Sequence, residues 1–285
     1  MNELINLDGL GDAIINLTNK LANGVGWIVN KETPKKLAIN AYIQDIQQSD
    51  YDPLTKAALI SNAKKIINGY CNQKDIVEIA IQSLKKKAKP EKVEDDWLGQ
   101  FMDKARLISS QEFQWIWGKI LAKECNEPGS IPLALLHILE KMDKEDAETF
   151  TCLCRISVKL EGDFSPVVIE SRIEEYNKLG ITFDGLINLK ALGLIEMDLG
   201  SLSSGYTVVP DGIPAKLIYF DKELQFSQDE IRVGHVIFTK YGQALCQSID
   251  VKKIDGFWEK YCLSFWKELN DKKESSGNTL ATKNQ

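Results

Sequence analysis

Positive charge is scarce in this sequence. Lys and Arg number 35 against 41 Asp and Glu, for a formal net charge of -6 and a pI near 5.2. Phosphate backbones are gripped by a surplus of Lys and Arg, so the balance disfavours a general affinity for nucleic acid and leaves room only for a local basic patch. Long apolar runs are missing too. Glu3 stands where a signal peptide carries positive charge, and Asp12, Asn16, Asn19 and Lys20 interrupt the apolar positions that follow, so neither a signal peptide nor a spanning helix is expected. The six cysteines (Cys71, Cys125, Cys152, Cys154, Cys246, Cys262) are scattered. The one close pair, Cys152-x-Cys154, lacks a second pair or a nearby His, and reads as small buried thiols rather than a metal site. There is no P-loop, dinucleotide fingerprint, zinc spacing or nucleophile elbow. The sequence therefore gives no catalytic residue, cofactor or metal ligand, and the reading leans away from an enzyme.

What is present is an ordinary globular composition, 44% hydrophobic and 27% charged over 285 residues. That length can bury a sizeable core. Over 3–29, Leu7, Leu10, Ile14, Leu17, Leu21 and Ile28 recur at three- and four-residue steps and line one helix face, with Gly24 on the same stripe. This face docks on the protein's own core or on a second copy; the rival is a membrane surface, against an Asn-rich polar face. Thr33-Pro34 and Asp52-Pro53 are caps followed by proline, starting helices near 34–48 and 53–69. Asn72 caps a third, running into Lys85–Lys92, where five lysines face one glutamate. That run reads as a solvated helix end and a hinge, with phosphate binding the lesser alternative.

The strongest local grammar lies between Trp97 and Cys154. Asp96-Trp97 opens a helix with Trp97, Phe101, Ala105 and Ile108 inside, and Ser109-Ser-Gln-Glu112 has the capping-box pattern. The next helix carries Trp115, Trp117, Gly118, Ile120, Leu121 and Glu124. Gly118, at mid-helix, costs about 1 kcal/mol relative to Ala, which close packing of a neighbouring helix would offset. Pro128-Gly129-Ser130 is a tight turn, and Pro132 can open the following helix. Glu124 closes an apolar face beside that turn. Its carboxylate is expected to accept backbone N–H bonds from the next helix start, a structural role rather than an acid or base. Asp143-Lys-Glu-Asp146 caps a further helix.

These residues carry a resemblance. Asp96-Trp97, Phe101, Ser109, Gln114, Trp117, Ile120-Leu121-Ala122, Glu124, Pro128-Gly129-Ser130, Leu136, Leu139, Asp146-Ala147 and Phe150 resemble the hallmark of an uncharacterised bacterial family, domain of unknown function 2806. The chain departs from it at Pro132 and Leu133, where Ser and Arg are expected. The resemblance implies a bacterial, cytoplasmic, helix-rich protein and no particular activity. A looser similarity to abortive-infection proteins of the Abi-alpha type motivates a stress or phage-defence setting.

In the C-terminal half, Ser165-Pro166 caps a helix through Tyr176. Phe183, Leu186, Leu189 and Leu192 form a short helix running into a strand at Ile195. Tyr206–Val209, Leu217–Phe226 and Val233–Phe238 are strand-like, His235 is a satisfied sheet residue, and Thr239 caps another helix. The order resembles a winged helix with a long wing. Between 181 and 250 there are five positive and nine negative residues, so a protein contact is favoured over DNA. Ile254, Trp258, Tyr261, Cys262, Phe265, Trp266 and Leu269 line one side of a final helix that packs on the core or a partner.

The expected fold is mainly α: helical N-terminal and central regions followed by a winged-helix-like α+β module. The divisions are 1–90, an N-terminal helical region; 91–160, the central box; 161–269, the module with its aromatic helix; and 270–285, a disordered tail. The leading functional expectation is a cytoplasmic, non-enzymatic interaction or regulatory module that self-associates. The rivals are a winged-helix transcription regulator binding DNA and a membrane-active effector using 3–29. Structural or interaction roles fall to Trp97, Trp115, Trp117, Gly118, Glu124, Pro128, Gly129, Trp258 and Trp266.

Overall fold

A computed structural model describes residues 10–28, 35–169, 174–198, 205–212, 214–226, 230–263 and 266, with the backbone alone at 35–39 and 261. The chain is mostly helical, with small antiparallel sheets confined to its C-terminal part. It divides into two compact units, 1–140 and 141–285. Thr33, Leu7, the side chain of Tyr261, Phe265, Leu269 and the 270–285 tail lie outside the described residues.

Unit 1 contains α1 (Leu10–Val25), α2 (Lys35–Gln48), α3 (Pro53–Gln82), a 3-10 turn (Pro90–Lys92), α4 (Asp95–Ala105), α5 (Gln111–Asn126) and α6 (Leu133–Lys141), which ends at the boundary. The inner face of α1 is Ala13, Leu17 and Leu21, buried against α4 and the 3-10 turn. Ile28 does not join that stripe. It is exposed, and Trp27 is buried in its place, stacked 5.5 Å from Tyr70. Helix α3 runs unbroken through the two helices expected at 53–69 and after Asn72. Asp52 does cap it, accepting from the Leu54 and Thr55 amides, but Asn72 is buried at mid-helix and donates Nδ2 to the Arg106 carbonyl (2.9 Å). An interior asparagine is tolerated here because that carbonyl, at the α4–α5 corner, gives its amide a partner. The capping box expected at Ser109–Glu112 is not formed; Ser110 is the N-cap and makes no side-chain bond.

The two halves of α3 differ. From Ile76 onward it is wedged against α5. Its first ten residues, 53–62, include no buried residue, and Ile46 alone is buried among the described side chains of α2. Helix α2 and the first half of α3 thus form a two-helix arm.

Unit 2 begins with α7 (Lys144–Arg155), capped by a reciprocal Asp143–Asp146 box. It continues with β1 (Ser157–Leu160), β2 (Asp163–Pro166), α8 (Glu174–Lys178), α9 (Phe183–Ala191), β3 (Ile195–Met197), β4 (Tyr206–Val208), β5 (Ala215–Tyr219), β6 (Lys222–Phe226), β7 (Ile231–Gly234), β8 (Val236–Phe238) and α10 (Lys240–Ser248). Ser165-Pro166 is therefore the end of a strand, not a helix cap. In Ser157-Val-Lys-Leu160 only Lys159 is exposed, and Glu161-Gly162 turns the chain back into β2 with both residues at positive φ. The long ribbon is nested: β3 pairs with β8, β4 with β7, and β5 with β6, all antiparallel. The β5–β6 tip joins β1–β2 in a four-stranded sheet of order β2-β1-β5-β6. The single strand expected at Val233–Phe238 is broken at Gly234-His235, where Gly234 takes φ +121 and lies against the Val168 carbonyl. His235 is buried, and its backbone bonds both Val168 and Asp198. The final helical segment, as far as it is described, takes π-helical form over Trp258–Leu263, and Ile254 lies before it rather than within it.

Candidate functional site

The residues singled out by sequence fall into two groups. Trp97, Trp115, Trp117, Gly118, Glu124, Pro128 and Gly129 lie in unit 1, and Trp258 and Trp266 in unit 2.

In unit 1 the aromatic residues form a row. Trp97 stacks on Phe101 with ring centroids 5.2 Å apart, and Phe101 meets Trp117 at the same separation. Trp97 donates Nε1–H to the Ile131 carbonyl (3.0 Å), so α4 holds the segment after the Pro128 turn. Trp117 is 0% exposed, and its Nε1 has no hydrogen-bond partner. Trp115 is half-buried, with the Lys119 ammonium 5.7 Å from its ring centroid. Gly118 is a close-approach point: a Cβ there would lie 2.5 Å from Ile79 Cγ2 and 2.9 Å from the Ile76 carbonyl oxygen. Only the absence of a side chain lets α5 approach α3 so closely.

Glu124 ends this row. It is 2% exposed, and each carboxylate oxygen has its own donor: the Gly129 amide (2.6 Å) on Oε1 and the Ile131 amide (2.9 Å) on Oε2. These amides belong to the turn preceding α6 rather than to its first helical residues. Burial pushes the Glu124 carboxyl above its usual range, opposed by the amides of Gly129 and Ile131. Gly129 sits at φ +83, the left-handed conformation that brings its amide round to the carboxylate.

A second loop closes on the same turn. Asn126, the last residue of α5, accepts the Lys85 amide on Oδ1 (2.8 Å) and donates to the Ser83 carbonyl (3.2 Å). The Lys89 amide donates to the Cys125 carbonyl (2.7 Å). Glu127 pairs with Lys123 and lies 3.8 Å from Lys85; the hydrogen bond from Lys123 is the main cause that holds its carboxyl below the usual range. Lys87 and Lys89, with Pro128, Gly129 and Ser130, line an open cleft of about 800 Å³. Two ammonium groups beside a glycine turn resemble an anion cradle. The Gly129 and Ile131 amides that would complete one are already bound to Glu124, so the protein's own carboxylate fills that position. The joint can brace the fold.

Asn126 and Glu127 escaped the sequence reading. Their signal is weak, since a polar pair at a helix end is the common surface pattern, and only the folded chain brings Lys85 to them. In unit 2, Trp258 stacks on Tyr219 at 5.9 Å and meets Trp266 at 6.2 Å, and Trp266 donates Nε1–H to the Arg232 carbonyl (2.9 Å). Tyr219, also missed, donates to the Arg155 carbonyl and accepts the Ile254 amide, both at 3.0 Å. It ties the ribbon tip to both ends of the unit. Cys125, Cys154, Cys246 and Cys262 are buried, and burial raises the Cys125, Cys154 and Cys262 thiols, as expected of inert side chains. Among the described residues no group of three His, Cys, Asp or Glu could hold a metal, and no helix is long and apolar enough to cross a membrane.

The family model described as Protein of unknown function (DUF2806) matches residues 62–261, which includes the whole joint, the α9 region and the ribbon. The chain belongs to that family. No curated protein and no solved structure matches it. The Trp97–Phe101–Trp117 row, Gly118, Glu124 and the Pro128–Ser130 turn therefore lie within the DUF2806 match, in a buried brace between helices.

Proposed function

We propose that this DUF2806 chain is a non-catalytic interaction and regulatory module that associates with itself and docks a protein through unit 2. In this reading unit 2 is a winged-helix-like domain: α7, the β1–β2 hairpin, α8, α9, a long ribbon as the wing, then α10. The succession α8, turn, α9, ribbon supports it, with Thr182 capping α9 through the Gly185 amide.

The observation that favours a protein over DNA in this reading is the state of Lys190, the one cation on α9. It donates to the Met197 carbonyl (3.2 Å) and lies 3.8 Å from Glu196. The helix that would enter a groove instead offers Asp184, Ile187 and Asn188 to solvent. Phosphate contacts need free Lys or Arg, and a carboxylate at the start of a recognition helix repels the backbone. A partly apolar face whose lysine is already paired suits a protein surface better.

The test is a gel-shift titration on random and genomic duplex DNA at about 50 mM salt, where phosphate-driven binding is strongest. No shift is expected. A shift that weakens steeply with salt would make the chain a transcription regulator and overturn the proposal. The membrane alternative is weakened by α1, whose described inner face (Ala13, Leu17, Leu21) is already buried within unit 1. Flotation on anionic vesicles should be negligible for the full chain and for one lacking residues 1–30; flotation of the full chain alone would revive it.

A further inference from the structure

The arm of unit 1 has a tip and a base of opposite character. At the tip, Tyr51 and Leu54 are 56% and 79% exposed, flanked by Asp50 and Asp52. The one nearby cation on α3, Lys56, donates to the Gln47 carbonyl. At the base lies a groove of about 860 Å³ between α3 and the α4–α5 corner. Its apolar members Ile66 and Leu107 are 63% and 69% exposed, and Lys65 and Arg106 sit among them. Lys65 has no carboxylate partner among the described residues. The one acid in the groove, Asp103, is 3.9 Å from Arg106.

Each half of this pattern is what the other lacks. Most helical stability in a folded protein comes from burying an amphipathic face, and the arm buries almost none. Leu54 and Ile66 are 12 residues apart on α3, so tip and groove are separated by about 18 Å along its axis. A two-fold axis across two antiparallel arms then makes both contacts at once, which is the self-complementary geometry of a closed dimer. Apolar side chains meet apolar side chains, and Asp50 and Asp52 meet Lys65 and Arg106.

We infer that two copies of this chain associate through the α2–α3 arms, each tip seated in the groove at the base of the other's arm. This rests on the reading of the chain as self-associating, and the experiment separates the two. Light scattering on the eluting full chain at about 100 µM, well above the Kd of a standard-size interface, should give twice the 32.1 kDa monomer mass. L54E and I66E alter exposed positions, so their melting curves, taken on protein diluted below the dimer Kd, should match the parent, while the dimer Kd rises at least about tenfold, as for hot-spot residues. D50K and K65D should each weaken the dimer by like-charge contact, and mixing the two should restore it, since both contacts of the mixed pair are then opposite in charge. A parent that stays monomeric at about 100 µM overturns both the inference and the self-association it rests on. A dimer indifferent to L54E and I66E overturns the arm interface and leaves self-association standing. Failure of the D50K and K65D mixture to re-dimerise, when each alone is monomeric, overturns the seating of tip in groove.

Discussion

Replacing Glu124 with Ala removes one acceptor group from two backbone donors at once. The Ile131 amide is buried and loses its partner outright, whereas the Gly129 amide is closer to the surface and can recover water. Leaving a buried donor unpaired costs about 1–3 kcal/mol, and hydrogen bonds to a charged group lie in the upper part of that range. The carboxylate refunds part of this, because burying its charge is itself unfavourable, as the raised carboxyl shows. A net loss of about 2 kcal/mol is therefore expected. For a unit of this size that lowers the melting temperature by about 6–10 °C, read by differential scanning calorimetry with urea unfolding as the check on ΔG. Glu124→Gln should lose less, since one amide oxygen still accepts. The pH dependence has a definite sign. A carboxyl whose folded value is raised contributes stability that is fully present below its unfolded value near 4.5 and is lost as pH rises through the folded value. The gap between parent and Glu124→Ala should thus be widest at or below about pH 4.5 and narrow towards neutrality. A variant that melts with the parent at every pH would refute the brace. So would one that loses self-association without losing stability.

Other substitutions probe the same physics. Gly118→Ala should destabilise by up to about 2 kcal/mol in urea titration, because crowding Ile79 and the Ile76 backbone oxygen falls in the upper part of the overpacking cost of about 1–3 kcal/mol, against a helix-propensity gain of about 1 kcal/mol. Thr239→Ala removes the hydroxyl that accepts from the Tyr241 and Gly242 amides and donates to the Gly193 carbonyl (2.6 Å), and should cost about 1–2 kcal/mol in the same assay. Tyr219→Phe strips the hydroxyl from the Arg155 carbonyl and the Ile254 amide, and should speed hydrogen exchange at Ile254 with a loss of about 1 kcal/mol.

Legibility followed the range of the interaction. Asp52-Pro53, Asp143 to Asp146 and Thr239 announced helix starts because a cap is settled within four residues. The same local rule misled at Ser109–Glu112 and at Ser165-Pro166. In the second case the hydrogen bonds of a strand pair answered a pattern that also suits a cap. Asn72 misled for a related reason: its amide is satisfied by Arg106, 34 residues away, so nothing forces the helix to stop. The ribbon of unit 2 was readable as alternation and turns, but its nesting depends on register, which only pairing sets. At the joint, Gly118 and Glu124 were visible as residues out of place on a helix. That Lys85 and Lys89 would be tied to Asn126 and Cys125 was not, since neither end of that contact has a pattern of its own.

Burial separates residues that hold this fold from residues that could meet a partner. Trp97, Trp117, Gly118 and Glu124 make the signature stretch distinctive, and none presents more than a sliver of surface. A partner cannot touch them, so losing them should act through stability and disturb every downstream property together. Tyr51, Leu54, Ile66, Leu107 and Ile187 are the reverse: large apolar side chains held in water by well-formed helices or their flanking turns, where truncation costs the fold little. The two classes predict different signatures in one experiment. Across a set of variants, a plot of dimer affinity against melting temperature should carry the signature residues along a common slope. With melting temperatures read below the dimer Kd, Leu54 and Ile66 variants should fall vertically away from it, losing affinity at constant melting temperature. If Glu124→Ala and L54E lie on one line, affinity merely follows stability and the arm has no special part in association.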